Sequence, residues 1–251
     1  MKRLRALRAG REAHDVVLLE GWRLIDEALD SGMEVAEVAI AEDAAADRAE
    51  ALTSRLAAGN ASVRRVSADV LDALSETETS QGVLAVARRP AFDEVLLFRA
   101  TPLIVVGVAI QNPGNVGALL RAAEAAGATG AYFTSGSADP MSWKALRGSM
   151  GSAFRVPHVA GLEAADALAR LSARGVTTIA TTAAQGDRYD GVDLTGSVAL
   201  LLGNEGAGLP ADLAARADRR ITIPMSAPVE SLNVAVAAGI LLFEAGRQRR
   251  Q

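Results

Sequence analysis

The stretch that most constrains this chain is 199–243, where two apolar runs each end in a bent loop and a helix nearly stripped of side chains follows. Residues 198–202, VALLL, are apolar without alternation, as suits a strand covered on both faces. The run stops at Gly203-Asn204-Glu205-Gly206-Ala207-Gly208, where three glycines allow a tight turn and a close approach of backbone to a ligand. Residues 221–225 repeat the design, a short β-branched run ended by Pro224. Ser231 then stands as N-cap for a helix from 232 to about 244, and Asn233 can serve as a cap as well. In that helix Ala235, Ala237, Ala238 and Gly239 sit among Val, Ile and Leu. A helix apolar all round is buried, and small residues let other backbone pass close by. Two buried strands ending in bent loops beside a helix start predict a small-molecule pocket in an open α/β sheet. Ordinary tight turns account for one such loop, but not for the helix.

Composition narrows the class further. The 251 residues suffice for one large domain or two modest ones, and half of them are hydrophobic. No run approaches the roughly 18 uncharged apolar residues of a membrane span. The start, MKRLRALRAGREAHD, has no apolar signal-peptide core. The lack of cysteine excludes disulfides and thiolate metal sites and fits a cytoplasmic location. His14 and His158 are too few for a histidine-rich centre, so neither a metal nor a membrane is expected as partner. A net charge of -4 reads mildly against a general nucleic-acid binder, and 4% aromatic residues read against a base-stacking platform. Charge is unevenly placed, however: Lys2, Arg3, Arg5, Arg8 and Arg11 crowd the start, and Arg247, Arg249 and Arg250 lie after the apolar helix. Such clusters either contact phosphates or form solvated ends.

Residues 1–95 read as a small α/β unit, with strands over 16–19, 35–40, 63–66 and 82–87 and helices over 22–29, 44–57 and 70–74. Arg88-Arg89-Pro90 and Thr101-Pro102 bracket a linker. Residues 96–251 read as a second unit that opens with LIVVGVAI, a buried strand running into the loop 111–117, QNPGNVG. A helix over 118–126 ends at Gly127; strands over 131–134, 154–159 and 177–182 and helices near 143–147 and 164–173 follow. This alternation predicts an α/β fold with a mostly parallel sheet covered on both faces.

Asn115 and Arg121 are the most informative polar pair, with Asn115 at the helix entrance and Arg121 nearly two turns in, among Leu119, Leu120, Ala122 and Ala123. A lone helical arginine is usually a solvated face. The loop before it shifts that reading, because helix N-termini bind anions and arginine forks onto phosphate oxygens. No Gly-Lys-Ser/Thr follows, so this is not a P-loop, and the dinucleotide fingerprint GxGxxG is absent. Glu205, Ser231 and Asn233 each have a plain turn or capping role open to them.

Together, NPGNVGALLRAAEAAGATG, LLGNEGAGLP and IPMSAPVESLNVAVAAGILLFE resemble the three signature motifs of the SpoU/TrmH family of RNA ribose 2′-O-methyltransferases, within the SPOUT superfamily. The match spans about 103–247, in the family's order and spacing. LLEGWRLIDEALDSG and TETSQGVLAVA resemble parts of the family's RNA-substrate-binding domain. The resemblance implies a parallel-sheet SPOUT domain tied in a deep trefoil knot, beside a small N-terminal α/β domain. It further implies a homodimer through the knot helices, each site borrowing groups from the partner chain. S-adenosylmethionine is implied as cofactor, bent within the knot against Thr181, Gly203, Asn204, Gly206, Ile223, Pro224, Met225 and Leu232.

By the same resemblance a ribose 2′-oxygen attacks the sulfonium methyl group, with Arg121 as base or activator. The high pKa of arginine makes that unusual, so an RNA phosphate or burial among apolar neighbours has to help. Asn115 is implied to orient Arg121 or the ribose, and Glu205, Ser231 and Asn233 to hold the site and its loops. Gln111-Asn112 precede Pro113 where the family often has an acidic residue, which bears on substrate detail. KALRGSMGSAFR, 144–155, resembles a family region near the RNA and otherwise reads as a basic surface loop. By the same resemblance, the separate N-terminal domain, which in this family commonly accompanies ribosomal RNA substrates, implies 23S ribosomal RNA as the partner. A transfer RNA methyltransferase and a catalytically silent RNA-binding relative are the alternatives, and the missing GxGxxG disfavours a dinucleotide enzyme.

Overall fold

Val198–Leu202 is, as its unbroken apolar pattern requires, the middle strand of a seven-stranded sheet and buried along its whole length. The computed structural model describes residues 15–75, 80–204 and 206–250. The basic cluster at the start of the chain, His14 and Glu205 lie outside the described residues. The chain divides into two units, Met1–Ala91 and Phe92–Gln251.

In the first unit the strands are β1 (Val16–Glu20), β2 (Val35–Ala41), β3 (Ser62–Val66) and β4 (Val83–Arg88). They lie in the order β1-β4-β2-β3, β4 running antiparallel to both neighbours and β2 parallel to β3. The continuous apolar run Val83–Ala87 is fully buried, as a central strand demands. Helices α1 (Trp22–Asp30), α2 (Ala46–Leu56) and α3 (Ala68–Asp72) complete the unit. The amphipathic α1 buries Trp22, Leu24, Ile25 and Ala28.

The second unit carries β5 (Leu103–Gly107), α4 (Pro113–Ala126), β6 (Gly130–Thr134), α5 (Trp143–Ser149), α6 (Ser152–Arg155), β7 (His158–Leu162), α7 (Ala164–Ala173) and β8 (Thr177–Thr181). After these come β9 (Asp187–Arg188), β10 (Val198–Leu202), α8 (Ala211–Arg216), β11 (Arg219–Thr222) and α9 (Val234–Arg249). All strands are parallel, in the order β7-β6-β5-β10-β8-β11-β9. Tyr132 and Phe133 of β6 are the largest fully buried side chains. The Tyr132 hydroxyl donates to Glu94, which also takes a 2.9 Å bond from Arg170, and this fastens the turn Glu94–Phe98 to the sheet. Burial first and the Glu94 carboxylate second push the Tyr132 pKa well up.

Four readings of the sequence need correction here. The helix expected over 118–126 begins at Pro113, so NPGNVG is its first turns and not a loop. Asn112 caps it by accepting from the Gly114 N–H at 2.8 Å, and proline suits the first helical position. A Cβ on Gly117 would lie under 3.0 Å from the backbone of Ala145 and Ser149, so this glycine exists to seat α5. The strand expected over 154–159 is β7, starting at His158, because Ser152–Arg155 forms a helical turn first. The run 221–225 pairs as β11 over Arg219–Thr222, before Pro224 removes a donor. Segment 144–155 is largely helical rather than a basic loop, and its Arg155 is bound by Glu124 through two bonds of 2.5 and 3.0 Å.

The apolar helix runs on to Arg249, so Arg247 and Arg249 lie in its last turn, and Arg249 is not simply solvated. Arg249 donates to the carbonyls of Leu194, Thr101, Pro102 and Gly196, tying the end of α9 to the entrance of β5. Gln248 beside it bonds Val192, Leu194 and Glu244. Among the described residues no helix is long and apolar enough to cross a membrane, and no three His, Cys, Asp or Glu side chains stand together to hold a metal.

Candidate active site

A cleft of about 390 Å³ opens where β8, β10 and β11 end, at the carboxyl edge of the sheet where open α/β folds bind ligands. Its walls are two stretches of bent backbone. One follows β10 from Gly203 to Leu209, and the other follows β11 and contributes Ile223, Met225, Ser231 and Leu232. A Cβ on Gly203 would lie under 3.0 Å from the backbone of Gly208 and Leu209, so the first loop closes on itself only because this residue is glycine. Gly208, at φ +66°, supplies the left-handed turn.

Asn204 is the brace of that loop. Its Oδ1 accepts from the N–H groups of Gly206 (2.9 Å) and Ala207 (3.4 Å), and its Nδ2 donates to the Ala109 carbonyl at 3.0 Å. Ala109 adopts φ +51° and takes the Thr134 hydroxyl as acceptor for its N–H at 3.0 Å. The Asn204 amide is thus committed to the protein, and what this residue offers the cleft is backbone. Thr181 lines the cleft with its hydroxyl donating to the Leu201 carbonyl at 2.8 Å. Gly203, Gly206, Ile223, Met225 and Leu232 line it as well, while Pro224 is exposed and does not.

The entrance of α9 sits at the rim. Its cap is Asn233 and not Ser231: Asn233 Oδ1 accepts from the N–H groups of Ala235 (3.0 Å) and Val236 (3.3 Å), and the helix starts at Val234, two residues later than expected. A short carboxamide reaches two orphan donors from that position, and Ser231 is left free to line the cleft. The other end of the Asn233 amide donates to Asn115 Oδ1 at 3.0 Å, across 118 residues of sequence. The structure therefore brings the first and third motifs together in one side-chain bond.

Arg121 stands apart. Leu119 and Leu120 are buried, but Arg121 projects from the exposed face of α4 and makes no hydrogen bond or ion pair among the described residues. In the single chain Arg121 is therefore not buried among its apolar neighbours. Glu205, between Asn204 and Gly206, lies outside the described residues.

Sequence reasoning missed Thr182, Ala183 and Leu209, and Ala237 and Leu241 of α9, all of which line the cleft. Thr182 and Ala183 were findable, since they directly follow a buried strand at its carboxyl end. The role of Ala109 was not, because nothing in an alanine announces a left-handed backbone.

The lining is mostly apolar side chain and backbone. A volume near 390 Å³ lies within the range of about 300–1,000 Å³ typical of ligand clefts. Such a site suits a flat, mostly uncharged group held by backbone hydrogen bonds, with charged partners only at its rim.

Residues 102–243 match the model of the SpoU rRNA methylase family, and residues 18–92 match that of the RNA 2′-O ribose methyltransferase substrate-binding domain. The chain is 35% identical to the 23S rRNA (guanosine(2553)-2′-O)-methyltransferase RlmP of Bacillus subtilis, over 93% of this chain and 89% of that protein. The crystal structure of the SpoU methyltransferase AviRb from Streptomyces viridochromogenes with AdoMet superposes with a TM-score of 0.89 at 28% identity, covering 100% of this chain and 99% of that one. The AdoMet-bound rRNA methyltransferase of Sinorhizobium meliloti gives 0.84 at 31% identity, covering 98% and 93%. This chain belongs to the SpoU rRNA methylase family.

Proposed function

We propose that the protein is an S-adenosylmethionine-dependent RNA methyltransferase that methylates a ribose 2′-hydroxyl, with 23S ribosomal RNA, and hence the cytoplasm, as its setting. The observation that carries the reading is the Asn115–Asn233 bond, which joins α4 and α9 at the rim of a backbone-walled cleft. The residues present fit the cofactor. The glycine-closed loop after β10 and the run Ile223–Met225–Leu232 would hold its adenosine between apolar side chains and backbone polar groups. When bound, it supplies a methyl group on a positively charged sulfur, an electrophile that needs no metal.

The chain's own side chains then have defined tasks. Asn115, fixed by Asn233, orients the ribose or the Arg121 side chain at the rim. Arg121, free among the described residues, lends its charge to the 2′-oxygen as that oxygen loses its proton, the proton passing to a phosphate of the RNA or to water. Holding the sugar and the methyl donor in register supplies much of the acceleration.

A homodimer through α9 completes this picture. Val236 and Phe243, both exposed and seven residues apart, leave an apolar stripe on that helix. We also infer that the C-terminal part is threaded as a knot. The close approach of backbone at Gly186 to Ile221, from separate stretches of the chain, supports it.

The test follows label from methyl-tritiated S-adenosylmethionine into separated ribosomal and transfer RNA, with wild type and Arg121→Ala. Alkali-resistant label in 23S rRNA that disappears in the variant is the expected result. Cofactor binding without label in any RNA overturns the enzyme reading and leaves a silent RNA-binding relative.

A further inference from the structure

The first unit holds a cavity of its own, about 360 Å³, which shares no residue with the cleft of the second. One wall is Trp22, fixed by its Nε1 donating to the Gln81 carbonyl at 2.8 Å. Arg48, which also lines the cavity, lies over that indole with its guanidinium carbon 5.1 Å from the ring centroid. A planar cation seated on an aromatic ring is a ready stacking partner for another flat ring. One such pair suffices, whatever the overall scarcity of aromatics.

Asp43, Asp72, Ser80 and Gln81 supply the polar side chains around this pair. Asp72 accepts from the Ser80 N–H at 3.3 Å and is part of the wall. Asp43 makes no hydrogen bond or ion pair among the described residues, although it lines the same cavity as Arg48. Beside Asp43 begins α2, whose N-cap is Ala45 with no side-chain capping bond, so its first N–H groups are left to other acceptors.

These groups select a ligand by chemistry. Two carboxylates repel a phosphate, and an apolar ligand would strip water from Asp43 without replacing its hydrogen bonds. A flat heterocycle with two adjacent N–H donors and a neighbouring carbonyl suits Arg48, Asp43 and the start of α2: its face stacks on Arg48, its donors meet Asp43 and its carbonyl takes an N–H of α2. Guanine alone among the RNA bases has that edge, with N1–H and N2–H beside O6. We propose that this cavity binds an unpaired guanine base of the RNA substrate. The inference rests on the RNA methyltransferase reading above and adds to it a base-reading site in the first unit.

The test uses the full chain carrying Trp143→Phe, which leaves Trp22 as the sole indole. The Trp22 Nε1–H resonance is expected to shift with millimolar guanosine 5′-monophosphate and to stay put with adenosine 5′-monophosphate, and Asp43→Asn abolishes the response. Equal shifts with both nucleotides, or none with either, overturn the proposal. In the rRNA methylation assay Asp43→Asn is expected to raise KM for RNA about tenfold, the order of one base-edge contact, with kcat and cofactor affinity unchanged. An unchanged KM also overturns it. Should the wild type methylate no RNA, the methyltransferase reading fails while the resonance still decides whether the cavity reads guanine.

Discussion

Two cavities of this protein present their polar groups in different ways. The cleft after β10 is walled largely by backbone and apolar side chains, with Asn204 and Thr181 turned to bracing it. The cavity of the first unit sets an indole, a guanidinium and two carboxylates, with Ser80 and Gln81, among alanines and Leu71. A site made of backbone is fixed by where glycines stand and is indifferent to most side-chain changes. A site made of side chains is tuned one residue at a time.

The largest expected effect lies where that contrast breaks down, at Arg121. Arg121→Ala removes a side chain with no partner among the described residues, so methyl transfer is expected to fall by about a hundredfold or more. Melting temperature and cofactor affinity, measured in parallel, are expected to stay at wild-type values, and a matching fall in either would make Arg121 a structural residue. Next comes Gly203→Ala, where the added methyl forces the loop off Gly208 and Leu209. Overpacking of this kind costs about 1–3 kcal/mol, read by calorimetry as roughly a ten- to hundredfold weaker cofactor. Gly206→Ala is the control, since its Cβ would meet only the Asn204 side chain at an ordinary 3.5 Å. Equal loss from both would show that the wall is not specified by backbone approach.

Asn233→Ala removes the cap of α9 and the bond to Asn115, and a cap is worth about 1 kcal/mol. Thermal unfolding is expected to report a drop of a few degrees, with kcat falling further than the cap alone explains. The smallest effect is electrostatic. Bonds from Arg247, then from Gln248, hold the Glu244 carboxyl at about 2 against an ordinary 4.5. A carboxyl depressed by folding adds stability above pH 4.5, and that stability is lost as pH falls toward about 2. Glu244→Gln is expected to flatten this limb of a melting-temperature profile, modestly, since Arg247 is half exposed.

Much of this was legible in the sequence, for identifiable reasons. Unbroken apolar runs marked β4, β5 and β10, because burial on both faces leaves no room for alternation. Glycine spacing after Leu202 marked the cleft, because close backbone approach admits nothing else. Glycine misled at NPGNVG, where Gly117 serves helix packing against Ala145 and not a turn. Ser231 and Asn233 could not be ranked as caps, since the choice depends on which side chain finds Asn115 in space. Trp22 gave only helical spacing; that Arg48 of the next helix lies over it is a tertiary fact.

The guanidinium of Arg249 has a consequence for how the chain is made. It grips the carbonyls of Thr101 and Pro102, nearly 150 residues earlier, where β5 enters the sheet. The first unit closes its sheet within Val16–Arg88, so it can settle while later residues are still being added. The second unit has to keep its central strands waiting through most of its own synthesis. For that interval the edge of β5 that later takes β10 stands unpaired, while β6 is already held between β5 and β7.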